Sequence, residues 1–162
     1  MRQWRALYLA IGTLLGTALA NSAIKALFAR NRPDVLLEPL SSFSFPSGHT
    51  SAAFALFLLL GVLAGRGQPA RMRLTWLLLA SVPAAAIAGS RVYLGVHWPS
   101  DIIAGAMLAT CLCTLSLALV QWRTTLPALP TKVWWLLLPT VVALLGGIAT
   151  WQLSAGLLLY RY

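Results

Sequence analysis

The chain has 162 residues, of which 59% are hydrophobic and only 9% are charged, and its formal net charge is +9. A soluble domain carries about 25% charged residues, so the composition excludes an ordinary soluble enzyme and predicts an all-α, polytopic bundle of transmembrane helices. Nucleic acid is not an expected partner, because the basic residues lie in short loops between apolar segments and form no separate basic face.

Five apolar segments predict about five membrane helices. In chain order they cover residues 4–28, 50–65, 74–89, 102–120 and 133–159. Since about 20 apolar residues cross a bilayer, the second and third segments are short. They fit if their ends continue into the polar residues of a buried site, and the third can extend toward Tyr93. We expect a core with four membrane helices over residues 1–121, then a linker and an additional C-terminal membrane helix over residues 122–162.

Three polar clusters lie at the ends of these segments and contain both histidines of the chain. In the first cluster, six residues separate Lys25 from the pair Arg32-Pro33. Polar side chains this costly at the edge of a membrane are functional by default. Taken alone, Lys25 would also fit a snorkelling anchor near a helix end. Arg30 and Arg161 have no place in the clusters and are interpreted as interfacial anchors.

The second cluster, Pro46-Ser47-Gly48-His49, directly precedes the second apolar segment. Ser47 is a typical N-cap residue, and Gly48 lets the backbone approach a ligand closely. The free N–H groups at a helix N-terminus form a ready anion site. This segment is therefore predicted to hold phosphate oxygens with His49 beside them, although each residue alone would also fit a simple turn and cap.

The third cluster begins with Ser90-Arg91, continues with His97 after five residues and ends with Asp101 after three more. Pro99 suits the first turn of the fourth helix, and Asp101 then lies in that turn, where a carboxylate is favoured. From there Asp101 can accept a hydrogen bond from one nitrogen of His97 and leave the other nitrogen free as a nucleophile.

The clusters combine the groups that phosphate-ester hydrolysis through a phosphohistidine requires. Phosphoryl transfer spreads charge over three equatorial oxygens, so catalysis depends on positioning and on fixed positive charge. Arginine suits bidentate contact with phosphate oxygens, and lysine acts as a point charge. The positive charge here would come from Lys25, Arg32 and Arg91.

All three clusters, with their spacings, resemble the signature of the type 2 phosphatidic acid phosphatases, the superfamily that includes glucose-6-phosphatase and the vanadium haloperoxidases. The resemblance covers about residues 5–121 and implies a role for each matching residue. His97 would be the nucleophile, Asp101 would orient it, and His49 would protonate the leaving group and then activate water. Phosphate would be bound by Lys25, Arg32, Ser47, Gly48 and Arg91. The family is metal-independent, so neither a metal nor a cofactor is expected, which agrees with a chain of only three acidic residues.

The chain departs from the family pattern in its helices. Bacterial members usually have two membrane helices before the one that ends in the first cluster, and here those two do not precede it. We therefore expect either a minimal form or the C-terminal part of a longer protein, such as a fusion to a DedA-like membrane domain. An additional N-terminal domain or an oligomer partner would complete such a protein.

The distribution of charge predicts an orientation in the membrane. Seven basic residues and no acid lie on the side of the N-terminus: Arg2, Arg5, Arg66, Arg71, Arg73, Arg123 and Lys132. The other side holds the three clusters and all three acids: Asp34, Glu38 and Asp101. The positive-inside rule then places the N-terminus in the cytoplasm and the clusters on the external face of a bacterial inner membrane.

The sequence thus predicts a membrane lipid phosphatase acting on a phosphomonoester or diphosphate. Undecaprenyl diphosphate is the first expected substrate, followed by phosphatidic acid or phosphatidylglycerol phosphate. Two alternatives remain: a phosphotransferase that passes the phosphoryl group to another lipid, and a non-catalytic lipid-binding or transport module. An oriented nucleophile argues against the last, because binding alone does not need one.

Overall fold

The computed structural model describes residues 3–33, 42–122, 125, 126, 128 and 140. Four helices make up this part of the chain, which contains no strand: α1 (Gln3–Phe28), α2 (Gly48–Ala64), α3 (Ala70–Tyr93) and α4 (Pro99–Gln121). The all-helical class predicted from the composition agrees with these elements.

Three of the helices are long and apolar enough to cross a membrane. Their spans are Trp4–Phe28, Ala70–Tyr93 and Pro99–Gln121, whereas the apolar helix Gly48–Ala64 is shorter. The third apolar segment is thus longer than its apolar run suggests. Helix α3 starts directly after Pro69, four residues before the apolar run, and carries Arg71 and Arg73 in its first turns. Arginine is a good helix former, so these polar residues continue the helix beyond the apolar run.

The described residues support three candidate membrane spans and one shorter apolar helix, rather than the five membrane helices predicted. The fifth predicted span, residues 133–159, lies outside the described part of the chain except for residue 140. The chain divides into two compact units, Met1–Ala128 and Leu129–Tyr162. The functional division at residue 121 stays a prediction.

Small and polar residues line the contacts between the helices of the first unit. Helix α2 packs against α3 and α4, and α1 packs against α4 and α2. On α1 a residue at every fourth position is buried: Leu9, Thr13, Thr17 and Asn21. Residues four apart share one helix face, so this face is the one turned toward the bundle. Such small and polar contacts are typical of helices that pack in lipid, where burial of apolar surface contributes little.

The connections bring the end of α1, the start of α2, the end of α3 and the start of α4 to one end of the bundle. At the end of α3, Leu94 N–H donates to the Ser90 carbonyl (2.9 Å) and Val96 N–H to the Arg91 carbonyl (3.2 Å). Between them Gly95 adopts a φ of +67°, a conformation that glycine reaches without steric cost. This turn directs the chain from α3 back into α4 within five residues.

Candidate active site

The three sequence clusters meet at this end of the bundle, held together by backbone contacts of the loop before α2. Ser44 N–H donates to the Arg30 carbonyl (2.8 Å), and Ser47 N–H donates to the Asp101 carbonyl (3.0 Å). The rings of Phe28 and Phe45 lie 5.1 Å apart. The loop therefore joins the end of α1 to the start of α4 and carries α2 with it.

His97 lies against Asp101, as the spacing of the third cluster predicts. Helix α4 begins at Pro99, with Asp101 in its first turn, and the Nδ1 atom of His97 is 3.4 Å from Oδ2 of Asp101. This separation is longer than an optimal hydrogen bond, and contacts of this kind often shorten only when substrate binds. His97 is only 4% exposed and Asp101 is fully buried, so the pair is shielded from bulk water.

Other donors surround the Asp101 carboxylate and fix its orientation. Oδ2 accepts hydrogen bonds from the Trp98 N–H (3.0 Å) and from the Ser44 hydroxyl. Oδ1 accepts from Nη1 of Arg30 at 2.9 Å. Together with His97, three of these contacts converge on Oδ2 and one on Oδ1, so the carboxylate is held from both sides.

Arg30 is not an interfacial anchor, as the sequence interpretation proposed, but part of this network. Besides its ion pair with Asp101, its guanidinium donates to the Ser100 hydroxyl (2.7 Å) and lies 5.5 Å from the centre of the Trp98 ring. The interpretation failed because the partner carboxylate lies 71 positions further along the chain, so nothing near Arg30 in the sequence indicates it.

Arg32 reaches the other nitrogen of the His97 ring. Its Nη1 atom is 3.4 Å from Nε2 of His97 and donates to the Val96 carbonyl at 2.8 Å. Two further bonds connect the same guanidinium to Ser42, at the backbone carbonyl (2.8 Å) and at the hydroxyl (2.9 Å). The positive group is thus fixed beside the nitrogen that Asp101 leaves free.

Burial and the positive charge of Arg32 lower the pKa of His97 below its ordinary value, against the opposing effect of Asp101. Desolvation disfavours the charged imidazolium, and a neighbouring cation disfavours it further. The lowered pKa of His97 favours the neutral ring near pH 7, and the carboxylate beside Nδ1 favours the tautomer with its proton on that nitrogen.

The second cluster forms the N-terminus of α2, but its serine points inward. Ser47 is the N-cap: its hydroxyl accepts from the Thr50 N–H (3.5 Å) and from the Thr50 hydroxyl (3.1 Å). Its side chain is fully buried, so the hydroxyl shapes the turn. The N–H groups of Gly48 and His49 have no acceptor within the described ranges, and they remain the anion-binding groups of this segment.

Lys25 and Arg91 approach the second cluster from α1 and α3. The Nζ atom of Lys25 donates to the Phe43 carbonyl, and its Cε atom lies 4.0 Å from the position that a Cβ on Gly48 would take. In the last turn of α3, Arg91 has a buried Nε atom that finds no acceptor in the described part of the chain. Burial and the positive charges of Arg91, Arg32 and Lys25 lower the pKa of His49.

Two site residues besides Arg30 escaped the sequence analysis. Ser44 is fully buried and donates to Asp101. Asn21 is 5% exposed and donates to the Ser51 hydroxyl at 3.0 Å, one helical turn before Lys25. Only Asn21 carried a sequence signal, because an amide inside an apolar segment needs a polar partner.

The assembled site holds an oriented imidazole, a second imidazole and four cationic side chains near a helix N-terminus, and one of the four, Arg30, is paired with Asp101. No group of three His, Cys, Asp or Glu side chains suited to a metal ion occurs among the described residues. Such a site can bind a tetrahedral oxyanion and present a nitrogen nucleophile to it. The fold and the site together define an α-helical protein with membrane-spanning helices and an oxyanion-binding type of centre.

The chain belongs to the PAP2 superfamily, whose family model matches residues 5–125. This confirms the resemblance read from the three clusters. With three helices that can span a bilayer, it is a membrane protein of that family.

Named relatives share this region. Phosphatidylglycerophosphatase B of Bacillus subtilis is 35% identical over 99 residues, which cover 58% of this chain and 48% of the relative. Undecaprenyl-diphosphatase of Sulfolobus acidocaldarius is 40% identical over 87 residues, which cover 52% of this chain and 37% of the relative. The matched region of this chain thus spans half or less of these relatives' length.

A solved structure has the same fold. The crystal structure of a transmembrane PAP2 type phosphatidylglycerolphosphate phosphatase from Bacillus subtilis superposes with a TM-score of 0.64 and 30% sequence identity. The match covers 74% of this chain and 61% of that chain. A fusion to a DedA-like domain stays a prediction.

Proposed function

We propose that the chain is a metal-independent lipid phosphatase that cleaves a phosphomonoester or diphosphate through a phosphohistidine. The observation that carries this proposal is the placement of His97 between Asp101 at Nδ1 and Arg32 at Nε2, each at 3.4 Å. One partner orients the ring, and the other is a cation at the point where a phosphate would meet the nucleophile.

In the first step the Nε2 lone pair of His97 attacks the terminal phosphorus, and the bond from that phosphorus to the leaving oxygen breaks. That oxygen belongs to the lipid alcohol in a phosphomonoester and to the lipid monophosphate in a diphosphate. Arg32, Arg91 and Lys25 would neutralise the charge on the equatorial oxygens, together with the N–H groups at the start of α2. His49 donates the proton that the departing oxygen needs. The imidazolium that forms at His97 is stabilised by Asp101.

In the second step water attacks the phosphohistidine. His49, now deprotonated, accepts a proton from that water, the bond from phosphorus to Nε2 breaks, and inorganic phosphate leaves. The ring of His97 returns to its neutral state, and its Nδ1 proton stays directed at Asp101. The same two imidazoles thus serve both steps, and His49 changes from general acid in the first step to general base in the second.

The substrate we propose is an isoprenyl diphosphate of the undecaprenyl type, with phosphatidic acid or phosphatidylglycerol phosphate as the next candidates. The names of the relatives support lipid phosphates of both kinds. A site at the end of apolar helices suits a lipid whose head group reaches the membrane surface. The surplus of basic residues at the other end supports a bacterial inner-membrane protein with a cytoplasmic N-terminus and an external site.

Replacement of His97 tests the mechanism. We expect His97→Ala to abolish phosphate release from undecaprenyl diphosphate, phosphatidic acid and phosphatidylglycerol phosphate, because it removes the proposed nucleophile. EDTA should leave the unmodified protein active. Thr114→Ala, an exposed position on α4, is the matched control and should keep full activity.

Activity that survives in a folded His97→Ala protein would overturn the phosphohistidine mechanism. Labelled lipid phosphate also separates hydrolysis from transfer. Label recovered in a second lipid, with little free phosphate, would favour the phosphotransferase.

A further inference from the structure

A cavity of about 350 Å³ lies at the end of the bundle opposite to the candidate active site. It opens between the end of α2, the start of α3 and the end of α4. Two arginines, Arg66 and Arg73, meet an apolar wall that includes Val62, Leu74, Leu77 and Leu117. Its size falls in the range of about 300–1,000 Å³ that small-molecule sites occupy. The 17 residues of α2 separate it from the active site by about 25 Å.

The two arginines carry positive charge that the described residues do not neutralise. Asp101 is the single acidic residue in the described part of the chain, and it lies at the other end of α4. The Nε atom of Arg66 is buried and has no hydrogen-bond partner within these residues. The Gln121 side-chain oxygen can accept from the two terminal nitrogens of Arg66, at 3.1 and 3.2 Å, but an amide adds no negative charge.

A surplus of basic residues at a cytoplasmic membrane surface has a simpler explanation in topology alone. Arg71 shows the difference. Arg71 and Arg73 are both exposed in the first turns of α3, but only Arg73 lines the cavity. Topology predicts that the three arginines are equivalent, whereas a binding site predicts that Arg66 and Arg73 differ from Arg71.

We infer that this cavity binds the phosphate head group of an anionic phospholipid, with the lipid chains along the apolar wall. Guanidinium groups match the geometry of phosphate oxygens, and basic pockets between membrane helices on the cytoplasmic side take anionic head groups. The apolar wall favours a lipid over free phosphate. This site is separate from the catalytic centre and does not depend on the proposed activity.

The test measures binding of phosphatidylglycerol to the purified full chain, by the dependence of thermal stability on lipid concentration in detergent. Phosphatidylcholine with the same acyl chains and soluble glycerol phosphate are the comparison ligands. We expect Arg66→Gln and Arg73→Gln each to weaken the apparent affinity for phosphatidylglycerol by about tenfold, the effect of losing one hydrogen bond to a charged group. Arg71→Gln removes the same charge and should change the affinity less than about twofold.

A second variant keeps both charges. Ala70→Phe places a ring in the cavity and should weaken phosphatidylglycerol binding as well, which covers the case in which an arginine variant does not fold. Thr114→Ala, an exposed position on α4 outside this cavity, should leave this affinity unchanged. Equal losses in Arg71→Gln and Arg66→Gln, equal stabilisation by glycerol phosphate, or unaltered binding in every cavity variant would each overturn the inference.

Discussion

Asp101 is the residue on which most contacts of the site converge. Its two oxygens accept from four groups, and two of these, Nη1 of Arg30 and the Ser44 hydroxyl, belong to residues outside the three sequence clusters. The Arg30 side chain is 41% exposed, while that of Asp101 is fully buried. Solvent screens such a pair, so the main effect of Arg30 is to orient the carboxylate rather than to stabilise the fold.

We predict that Arg30→Gln lowers kcat by about ten- to a hundredfold, the same loss as when a hydrogen-bond partner that orients a metal ligand is removed. KM should change little, because Arg30 is directed at Asp101 and Ser100 and not at the phosphate position. The measurement is steady-state phosphate release at several lipid concentrations.

Arg30→Lys serves as the conservative variant and should recover part of the lost kcat. Arg71→Gln is the charge-matched control and should behave as the unmodified protein. A rise in KM with unchanged kcat would show that Arg30 binds substrate and does not position Asp101.

The pH dependence of the proposed phosphatase activity should reflect the environment of His97. Burial and Arg32 lower the pKa of His97 from the ordinary value of 6.5. A nucleophilic imidazole must be neutral, so activity falls as the pH drops through its pKa. Because that pKa is lowered, the loss should occur below pH 6.5 and the neutral, active form should predominate at pH 7.

The chain has two histidines, which makes this pKa directly measurable. In His49→Gln, His97 is the only imidazole of an untagged protein, and its ring signals can be followed by NMR as the pH changes. A His97 ring that titrates at or above pH 6.5 would contradict the lowered pKa. Such a measurement avoids the ionisation of the substrate phosphate, which also occurs near pH 6.

At the scale of the elements, the contact between α4 and the start of α2 depends on one glycine. A Cβ added to Gly105 would lie 2.8 Å from the Ser47 carbonyl oxygen and 3.3 Å from the Ser51 nitrogen. These are backbone atoms that cannot move without displacing the helix start. The close approach therefore determines where His49 lies relative to Asp101.

We predict that Gly105→Ala destabilises the bundle by about 1–3 kcal/mol, the usual cost of overpacking, and lowers activity beyond the loss of folded protein. Gly89→Ala on α3 is the matched control, because a Cβ there meets nothing within 4 Å. Alanine is the better helix former by about 0.5–1 kcal/mol, so the control should be as stable as the unmodified protein or more so. Thermal unfolding in detergent compares the two, and equal behaviour would exclude the proposed close contact.

At the scale of the whole molecule, the antiparallel helices separate the two ends that carry different chemistry. Ser100 is exposed at the end with the candidate active site, and Gln68 is exposed in the connection between α2 and α3 at the other end. An external site requires that these two positions face opposite sides of the membrane.

We predict that a membrane-impermeant thiol reagent labels Ser100→Cys in intact cells and labels Gln68→Cys only after the membrane is permeabilised. Both variants would be made in a protein with Cys111→Ser and Cys113→Ser, which serves as the unlabelled control. The reverse pattern would place the catalytic end in the cytoplasm and refute the orientation drawn from the basic residues.

Local sequence patterns were sufficient for part of the site. Ser47 as N-cap and Pro99 in the first turn of α4 follow from backbone preferences within a few residues. The approach of His97 to Asp101 follows from their spacing around that turn. The family itself was recognisable because the residue types and spacings of the three clusters match its signature.

The sequence by itself therefore determined the helical class, the family and the residues at the centre of the site. Only the tertiary structure decided which groups complete that centre. Three contacts depend on elements that meet across the bundle: the ion pair of Arg30 with Asp101, the Ser44 hydroxyl on the same carboxylate and the Ser47 N–H on the Asp101 carbonyl. Contacts between residues 57 and 71 positions apart leave no periodic trace in the chain, because they arise from the packing of whole helices and not from local backbone preference.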